Sequence, residues 1–430
     1  MSASLTVPRL RRLRGEARVP GDKSISHRAL IFAAMAHGTS RIRNFLPSLD
    51  CFSTASCLER LGIEIERRGE TAVTVRGRGL EGLREPVEVL DAGNSGTTMR
   101  LLSGLLAGRP FHSVLTGDGS LRRRPMGRVI APLGRMGCMI RGRDGNRFAP
   151  LSILGGRLKG IRYAIPVASA QVKSCLILAA LQARGASEWI EPSPTRDHTE
   201  RMLRGMGARL DSNGTRIRVR PMNRLRPLDL AVPGDLSSAL FPTVAATILP
   251  GSMLAIEDVG LNPTRTAALD VLRRMGGAVV SEVDGERTGE PVGTIRVEAA
   301  GLRGTEIGGP EIPFLIDEIP ILAVAATQAT GRTVIRDARE LRVKESDRID
   351  VLVGELQRMG ARIHGLPDGM VIDGPTPLRG ARVSSHGDHR IGMALYVAGL
   401  AARGRTVIED PGAMDVSFPG FDALLRRLSR

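Results

Sequence analysis

ALIFAAMAHGTSRIRNF (residues 29–45) is a run of small and apolar residues that reaches a glycine and then turns strand-like. Five further stretches read the same way: MRLLSGLLAGRPFHSVL (99–115), LILAALQARGASEWI (176–190), FPTVAATILPGSMLAIE (241–257), ILAVAATQATGRTVIRD (321–337) and MALYVAGLAARGRTVIED (393–410). Their glycines, Gly38, Gly108, Gly185, Gly251, Gly331 and Gly404, recur every 66 to 80 residues. An Ala-rich run without a polar face predicts a buried helix, and a glycine beyond it predicts the helix stop. A second landmark follows in five copies, an amphipathic helix ending in Leu-Gly or Met-Gly and then a strand: RLGIEI (60–65), RMGCMI (135–140), GMGARL (205–210), RMGGAV (274–279) and RMGARI (358–363). A further strand usually comes next, as in TAVTVRG (71–77), TRIRVR (215–220) and GTIRVEA (293–299). The unit is therefore βαβαββ, six times over, and units that repeat the same faces stack on one another.

At 430 residues the chain has room for two to three domains. Apolar residues at 42% and charged residues at 25% exclude wholesale disorder and collagen-like repeats. No stretch reaches the roughly 18 uninterrupted apolar residues of a membrane span. The first 18 residues hold five Arg and no apolar segment, so no secretory signal is expected. The four cysteines (Cys51, Cys57, Cys138, Cys175) lack CxxC spacing, which argues against a zinc site and fits a reducing cytoplasm. The net charge of +16 suits either nucleic acid or small anions. One Trp and two Tyr make poor stacking platforms for single strands, and the Arg residues are dispersed, so small anionic substrates are the better account. Of the 61 basic residues only Lys23, Lys159, Lys173 and Lys344 are lysines. Compositional drift replaces a surface Lys freely, so a surviving one marks a place where a compact ammonium does what a guanidinium cannot.

Polar motifs sit just upstream of each buried helix: VPGDKSISHR (19–28), DAGNSGTTMR (91–100), PVASAQVKS (166–174), VPGDLSSA (232–239), LIDEIP (315–320) and SHGDHR (385–390). That is the N-terminal end, where free N–H groups and the positive end of the dipole favour anions. Ser, Asn, Thr and Asp are also ordinary caps. Capping does not account for Lys23 and Arg28 beside one such position, nor for His386, Asp388, His389 and Arg390 at another. Two clusters lie elsewhere. GSLRRRPMG (119–127) suggests an exposed turn, or only a solvated charge run. LRVKESDRID (341–350) puts Lys344 and Arg348 on one helical face, either as a salt-bridged helix start or as a grip on phosphate or carboxylate with Glu345 moving protons.

The chain resembles the 5-enolpyruvylshikimate-3-phosphate synthase family along nearly its whole length. PGDKSISHRAL, GNSGTTMRLL, RRRPMGR, SAQVKS, RDHTERML, LIDEIP, LRVKESDR and GDHR carry the resemblance, and the SAQVKS, RDHTERM and LIDEIP forms are similar to the class II branch. It implies a two-domain inside-out α/β barrel of three repeats per domain, with the active site in the interdomain cleft. Residues 19–231 would form one, inserted, domain; 1–18 would join 232–430 in the other. It implies transfer of the enolpyruvyl group of phosphoenolpyruvate to the 5-hydroxyl of shikimate 3-phosphate by a cytoplasmic monomer. No cofactor, metal, nucleic acid or membrane would take part. By the same resemblance Lys23, Ser24 and Arg28 meet the substrates at the first helix. Ser169, Ala170, Gln171, Asp317 and Lys344 hold shikimate 3-phosphate. Lys23, Asn94, Gly96, Thr97, Arg124, Gln171, Arg196, Arg348 and Arg390 surround phosphoenolpyruvate. Asp317 takes the hydroxyl proton; Glu345 and Lys23 serve the carbon end. Two departures stand out. No Lys follows Lys344, where some relatives carry one, and DPGAMDVSFP (410–419) fills that region. Ala170 replaces a second Ser and removes a hydroxyl donor. Gly96 leaves its position free of a side chain, so sensitivity to the phosphoenolpyruvate mimic glyphosate is expected. A sister enzyme acting on UDP-N-acetylglucosamine usually places a reactive Cys in a loop. The RRRP segment has none, and the nearest is Cys138.

Overall fold

The computed structural model describes residues 4–222 and 224–429. They form two compact units. One is Gly21–Val232 with the hairpin tip Arg287–Glu290; the other runs up to Pro20, then Pro233–Glu286, then onward from Pro291. Each has its own apolar core.

The expected α/β repeat architecture is present. In the first unit the helices Lys23–Met35, Gly96–Leu106 and Ala170–Ala180 are buried along nearly their whole length. The second unit has Leu236–Ile248, Ile319–Thr327 and His389–Ala401 in the same role. Small residues let these helices approach closely: a Cβ at Gly104 would overlap the Cys175 carbonyl oxygen of the next helix. Sheets lie outside the helices and show one face to the core and one to water, as in the alternating burial of Phe148–Leu154. Each unit is thus an inside-out α/β barrel. The amphipathic second helices cover what remains; Gly127–Arg135 buries Val129, Ile130, Pro132 and Leu133.

Within a full repeat the leading strand pairs in parallel with the strand after the buried helix, and two antiparallel strands complete the sheet. Leu90–Asp91, His112–Thr116, Phe148–Leu154 and Met139–Gly142 make one such sheet, with Leu90 opposite Leu115, Val114 opposite Ser152 and Ile140 opposite Ile153. Repeats one and four exchange their leading strands. Arg14–Arg18, which precedes the first helix, pairs with Met253–Gly260 (Ala17 opposite Ile256), whereas Asp229–Ala231, which precedes the fourth helix, pairs with His37–Arg43 (Leu230 opposite Ile42). Both exchanges occur at a Val-Pro-Gly-Asp sequence, 19–22 and 232–235. The sixth repeat is short. Ser4–Thr6 returns from the chain start to pair with Val407–Glu409, and the helix Phe421–Leu428 replaces the last strands, with Phe421 packed on Phe241 and Tyr396.

Of the six glycines only Gly108 directly follows its helix C-cap, as expected of a stop. The C-caps are Ala36, Ala107, Leu181, Leu249, Gln328 and Ala402, one to four residues earlier. Gly38, Gly185, Gly251, Gly331 and Gly404 have positive φ and turn the chain into the following strand, a conformation L side chains resist.

The close helix approach is testable. Gly104→Ala should cost about 2 kcal/mol, since the added carbon meets backbone. Gly134→Ala, where nothing lies within 4 Å, should stabilise the exposed helix by about 0.5–1 kcal/mol. Denaturant unfolding of both variants checks the opposite signs.

Candidate active site

Three first turns meet at one end of the Gly21–Val232 unit. Asp22, Ser95 and Ser169 cap the three buried helices through Ile25, Thr98 and Val172 N–H, and none of these helices has an acidic residue in its first turn. Gln171 links two of them: its Nε2 donates to Thr97 Oγ1 at 2.9 Å and its Oε1 accepts from Arg100 Nη1. Asn94 donates to Asp118 Oδ2 and accepts from Arg124 Nη2, both at 2.6 Å, and so fixes Arg124. Gly96 faces these guanidinium groups; a Cβ there would lie 3.1 Å from Arg100 Nη1 and 3.4 Å from Arg124 Nη1. Lys23, the first residue of its helix, lies 3.3 Å from Asp50 Oδ2.

Arg28 is only 3% exposed. Its Nε donates to Thr199 Oγ1 (2.8 Å), Nη1 to Ser24 O (2.9 Å) and Nη2 to Ser174 Oγ (2.8 Å). Burial draws its pKa down to about 10, against the opposing pull of Glu200 and Asp22. Arg28 therefore braces the first helix against the third and against Thr199. Ser169 serves as a cap, Ala170 is the first residue of the third helix, and Arg196 lies in the loop before the helix His198–Gly205.

The other unit gathers its groups the same way. Asp317 Oδ1 accepts from Lys344 Nζ and Arg348 Nη1, both at 3.2 Å. Arg348, 2% exposed, also donates to Glu345 Oε2 at 2.7 Å and along one edge of Asp388, at 2.8 and 3.3 Å. Burial works to lower its pKa, and Asp388, Glu345 and Asp317 overcome that and raise it. The Arg348 guanidinium thus faces three carboxylates and holds two of them, Asp317 and Glu345, in place. Arg390 Nη1 donates to Asp317 O at 3.3 Å and lies 3.8 Å from Glu318 Oε1. Glu318 accepts from Ser237 Oγ, so the three first turns of this unit also lie side by side.

Asp50, Arg100, Asp118 and Glu318 were not among the expected site residues. Arg100 sits inside GNSGTTMR and was available to reading. Asp50 looks like an ordinary first-turn acid after the cap Ser48, and only the fold brings it to Lys23. Lys159 is exposed. Cys138 is buried, which pushes its thiol up to about 12, so it is no thiolate nucleophile. Among the described residues no group of three or more His, Cys, Asp or Glu is arranged to hold a metal ion, and no helix is long and apolar enough to cross a membrane.

The family model of EPSP synthase (3-phosphoshikimate 1-carboxyvinyltransferase) matches residues 7–425. The chain belongs to the EPSP synthase family. It is 53% identical over 428 residues to the 3-phosphoshikimate 1-carboxyvinyltransferase of Brevibacillus brevis, covering 99% of this chain and 100% of that one. The Desulforudis audaxviator protein of the same name is 55% identical over 425 residues, covering 99% of each. An EPSP synthase structure from Acinetobacter baumannii superposes with a TM-score of 0.88 at 41% identity, covering 100% of this chain and 98% of that one. The enolpyruvyl transferase NikO from Streptomyces tendae, at 20% identity and a TM-score of 0.79 over 100% of this chain and 98% of its own, shares the fold.

His27 gives this family member's first helix a pH signature. Its Nδ1 lies 2.7 Å from Thr54 Oγ1, which is 2.6 Å from Thr98 Oγ1, so it ties three helices together. Burial, then Lys23 and Arg28, hold its pKa well below 6.5. Below pH 6.5 the unfolded chain takes up a proton that the folded chain refuses. Stability is thus undiminished above that pH and falls below it, by at most about 1.4 kcal/mol per pH unit. His27→Asn should flatten the slope between pH 5 and 6.5 in denaturant titrations; an unaltered slope assigns it to other groups.

Proposed function

We propose that the chain transfers the carboxyvinyl group of phosphoenolpyruvate to the 5-hydroxyl of shikimate 3-phosphate and releases phosphate, the sixth step of the shikimate pathway to chorismate. The match of one family's model to residues 7–425 carries this reading. The site chemistry supports it. Both substrates are polyanions; Lys23 begins one buried helix, and the guanidinium groups of Arg100 and Arg124 face Gly96 at the start of another, where the helix dipole favours negative charge.

The reaction is an addition followed by an elimination. The 5-oxygen bonds to C2 of phosphoenolpyruvate as the hydroxyl loses its proton and the CH2 carbon gains one. The resulting tetrahedral ketal expels phosphate, and the methyl group returns a proton as the double bond re-forms. Asp317 takes the hydroxyl proton, while Glu345 and Lys23 serve the carbon. Arg348 orients the two carboxylates by donating to both. We assign Lys23, Ser24, Arg28, Ser169, Ala170, Gln171, Asp317 and Lys344 to shikimate 3-phosphate, and Lys23, Asn94, Gly96, Thr97, Arg124, Gln171, Arg196, Arg348 and Arg390 to phosphoenolpyruvate. Convergent donors stabilise the phosphate and carboxylate charges. The enzyme acts as a monomer in the cytoplasm, where its four free, buried thiols stay reduced.

Purified protein with shikimate 3-phosphate and phosphoenolpyruvate should release phosphate, and should release none with UDP-N-acetylglucosamine in place of the shikimate. Release with neither, from folded protein, overturns the reading. Lys344→Arg keeps the charge but replaces a compact ammonium by a planar fork, and should lower turnover roughly 100-fold with circular dichroism unchanged. Near-normal turnover removes Lys344 from the site. Glyphosate at millimolar concentration should inhibit. Gly96→Ala, whose Cβ crowds Arg100 and Arg124, should weaken that inhibition by roughly tenfold or more while raising the KM of phosphoenolpyruvate.

A further inference from the structure

Lys173 lies on the third buried helix, 1% exposed, and the reaction above makes no use of it. Its Nζ is 2.8 Å from Glu200 Oε1, 3.1 Å from Glu191 Oε2 and 3.1 Å from Thr195 O. An ammonium has three N–H donors, and here it meets three acceptors. All three belong to one segment, 191–200, which leads from the strand Ser187–Ile190 into the helix His198–Gly205. Thr195 Oγ1 closes the segment on itself by donating to Glu191 Oε1 at 2.5 Å.

This segment carries two groups toward the first helix. Arg196 follows Thr195 directly. Thr199, beside Glu200, accepts from Arg28 Nε and lies 2.6 Å from Ser174 Oγ, which accepts from Arg28 Nη2. Glu200 and Arg196 are both near enough to Arg28 to act on its charge. Two buried carboxylates and one ammonium form a set that cannot lose its cation quietly: an uncompensated buried carboxylate takes up a proton or turns to the nearest other cation. Those cations are Arg28 and Arg196.

We propose that Lys173 is a positioning residue for the transfer reaction. Its ammonium holds segment 191–200 from inside the core, sets where Arg196 presents its guanidinium, and keeps Glu191 and Glu200 from drawing Arg28 and Arg196 inward. The inference rests on the reading that Arg196 meets an anionic substrate. It also accounts for a lysine here in a chain that uses arginine almost everywhere else. Three acceptors converging on one point suit an ammonium, and a planar fork does not fit them.

A double-mutant cycle tests this. kcat/KM for phosphoenolpyruvate is measured for the unaltered chain, Lys173→Met, Arg196→Ala and the double variant, with circular dichroism and thermal unfolding on each. Each single change should lower kcat/KM roughly 100-fold in folded protein. The double variant should fall no more than about threefold below Lys173→Met, because the two act through one group. Losses that multiply, or a Lys173→Met protein that unfolds more easily yet turns over normally, overturn the proposal. If Lys173→Met does not fold, Glu191→Gln takes its place in the cycle. It keeps the Lys173–Glu200 pair, and should give a smaller loss that again fails to multiply with Arg196→Ala. Normal kinetics of Arg196→Ala overturn both the proposal and the place given to Arg196, with the transfer reaction intact. Absence of turnover in the unaltered chain overturns the proposed function itself.

Discussion

A helix buried on every face can present functional groups to water only at its ends. That constraint governs both units. Six helices made of Ala, Leu, Ile and Val fill the two cores, and their flanks are taken up by neighbouring helices and by the inner faces of the sheets. The first turn of a helix leaves N–H groups without intrahelical partners. Single caps such as Asp22, Ser95, Ser169, Asp235 and Asp388 accept from one or two of them. Side-chain links between first turns, Gln171 to Thr97 in one unit and Ser237 to Glu318 in the other, show that these positive ends gather rather than disperse. The place where the helix N-termini gather is thus settled by the same packing that settles the core.

The two units use that place differently. In the unit Gly21–Val232 Arg124 donates to Asn94, Arg100 to Gln171, and Arg28 to hydroxyls and a carbonyl. Such neutral partners fix the direction in which a guanidinium points. In the other unit Arg348 donates to three carboxylates and Asp317 also receives Lys344. There the charges are largely balanced, and the groups brought together are ones that accept and return protons. The residue types at equivalent helix ends thus differ between the two units.

The repeat was legible because its determinants are local: an apolar run, an amphipathic run, a glycine at a turn. The polar residues at the helix starts were legible for the same reason, since Lys23, Asn94, Gln171 and Arg390 lie within a few residues of one. The exchange of leading strands between repeats one and four is not visible in the repeat pattern and was expected only through the family resemblance, which joins 1–18 to 232–430. Arg14–Arg18 and Asp229–Ala231 are both plausible partners for either following helix, and pairing across more than 180 residues leaves no local trace. The sixth repeat's sheet takes its third strand, Ser4–Thr6, from the opposite end of the chain, which is equally silent in the repeat pattern. Reading was also misled where one residue type serves two purposes. Five of the six glycines read as helix stops instead turn the chain into strands.

The choice between lysine and arginine follows acceptor geometry. Arg348 meets Asp388 along one edge, Nε to Oδ2 and Nη2 to Oδ1, the parallel arrangement a planar fork makes and an ammonium cannot. Lys173 meets three acceptors that converge on a single point, and Lys344 and Lys23 each face one oxygen of an aspartate. Lys159 is exposed and shows no such demand, so scarcity alone does not mark a lysine as useful. In a chain where arginine is the default cation, an ammonium is required where acceptors converge or where a compact charge must sit beside a single carboxylate oxygen. Three of the four lysines occupy such positions, two at helix ends and one beneath the segment that carries Arg196.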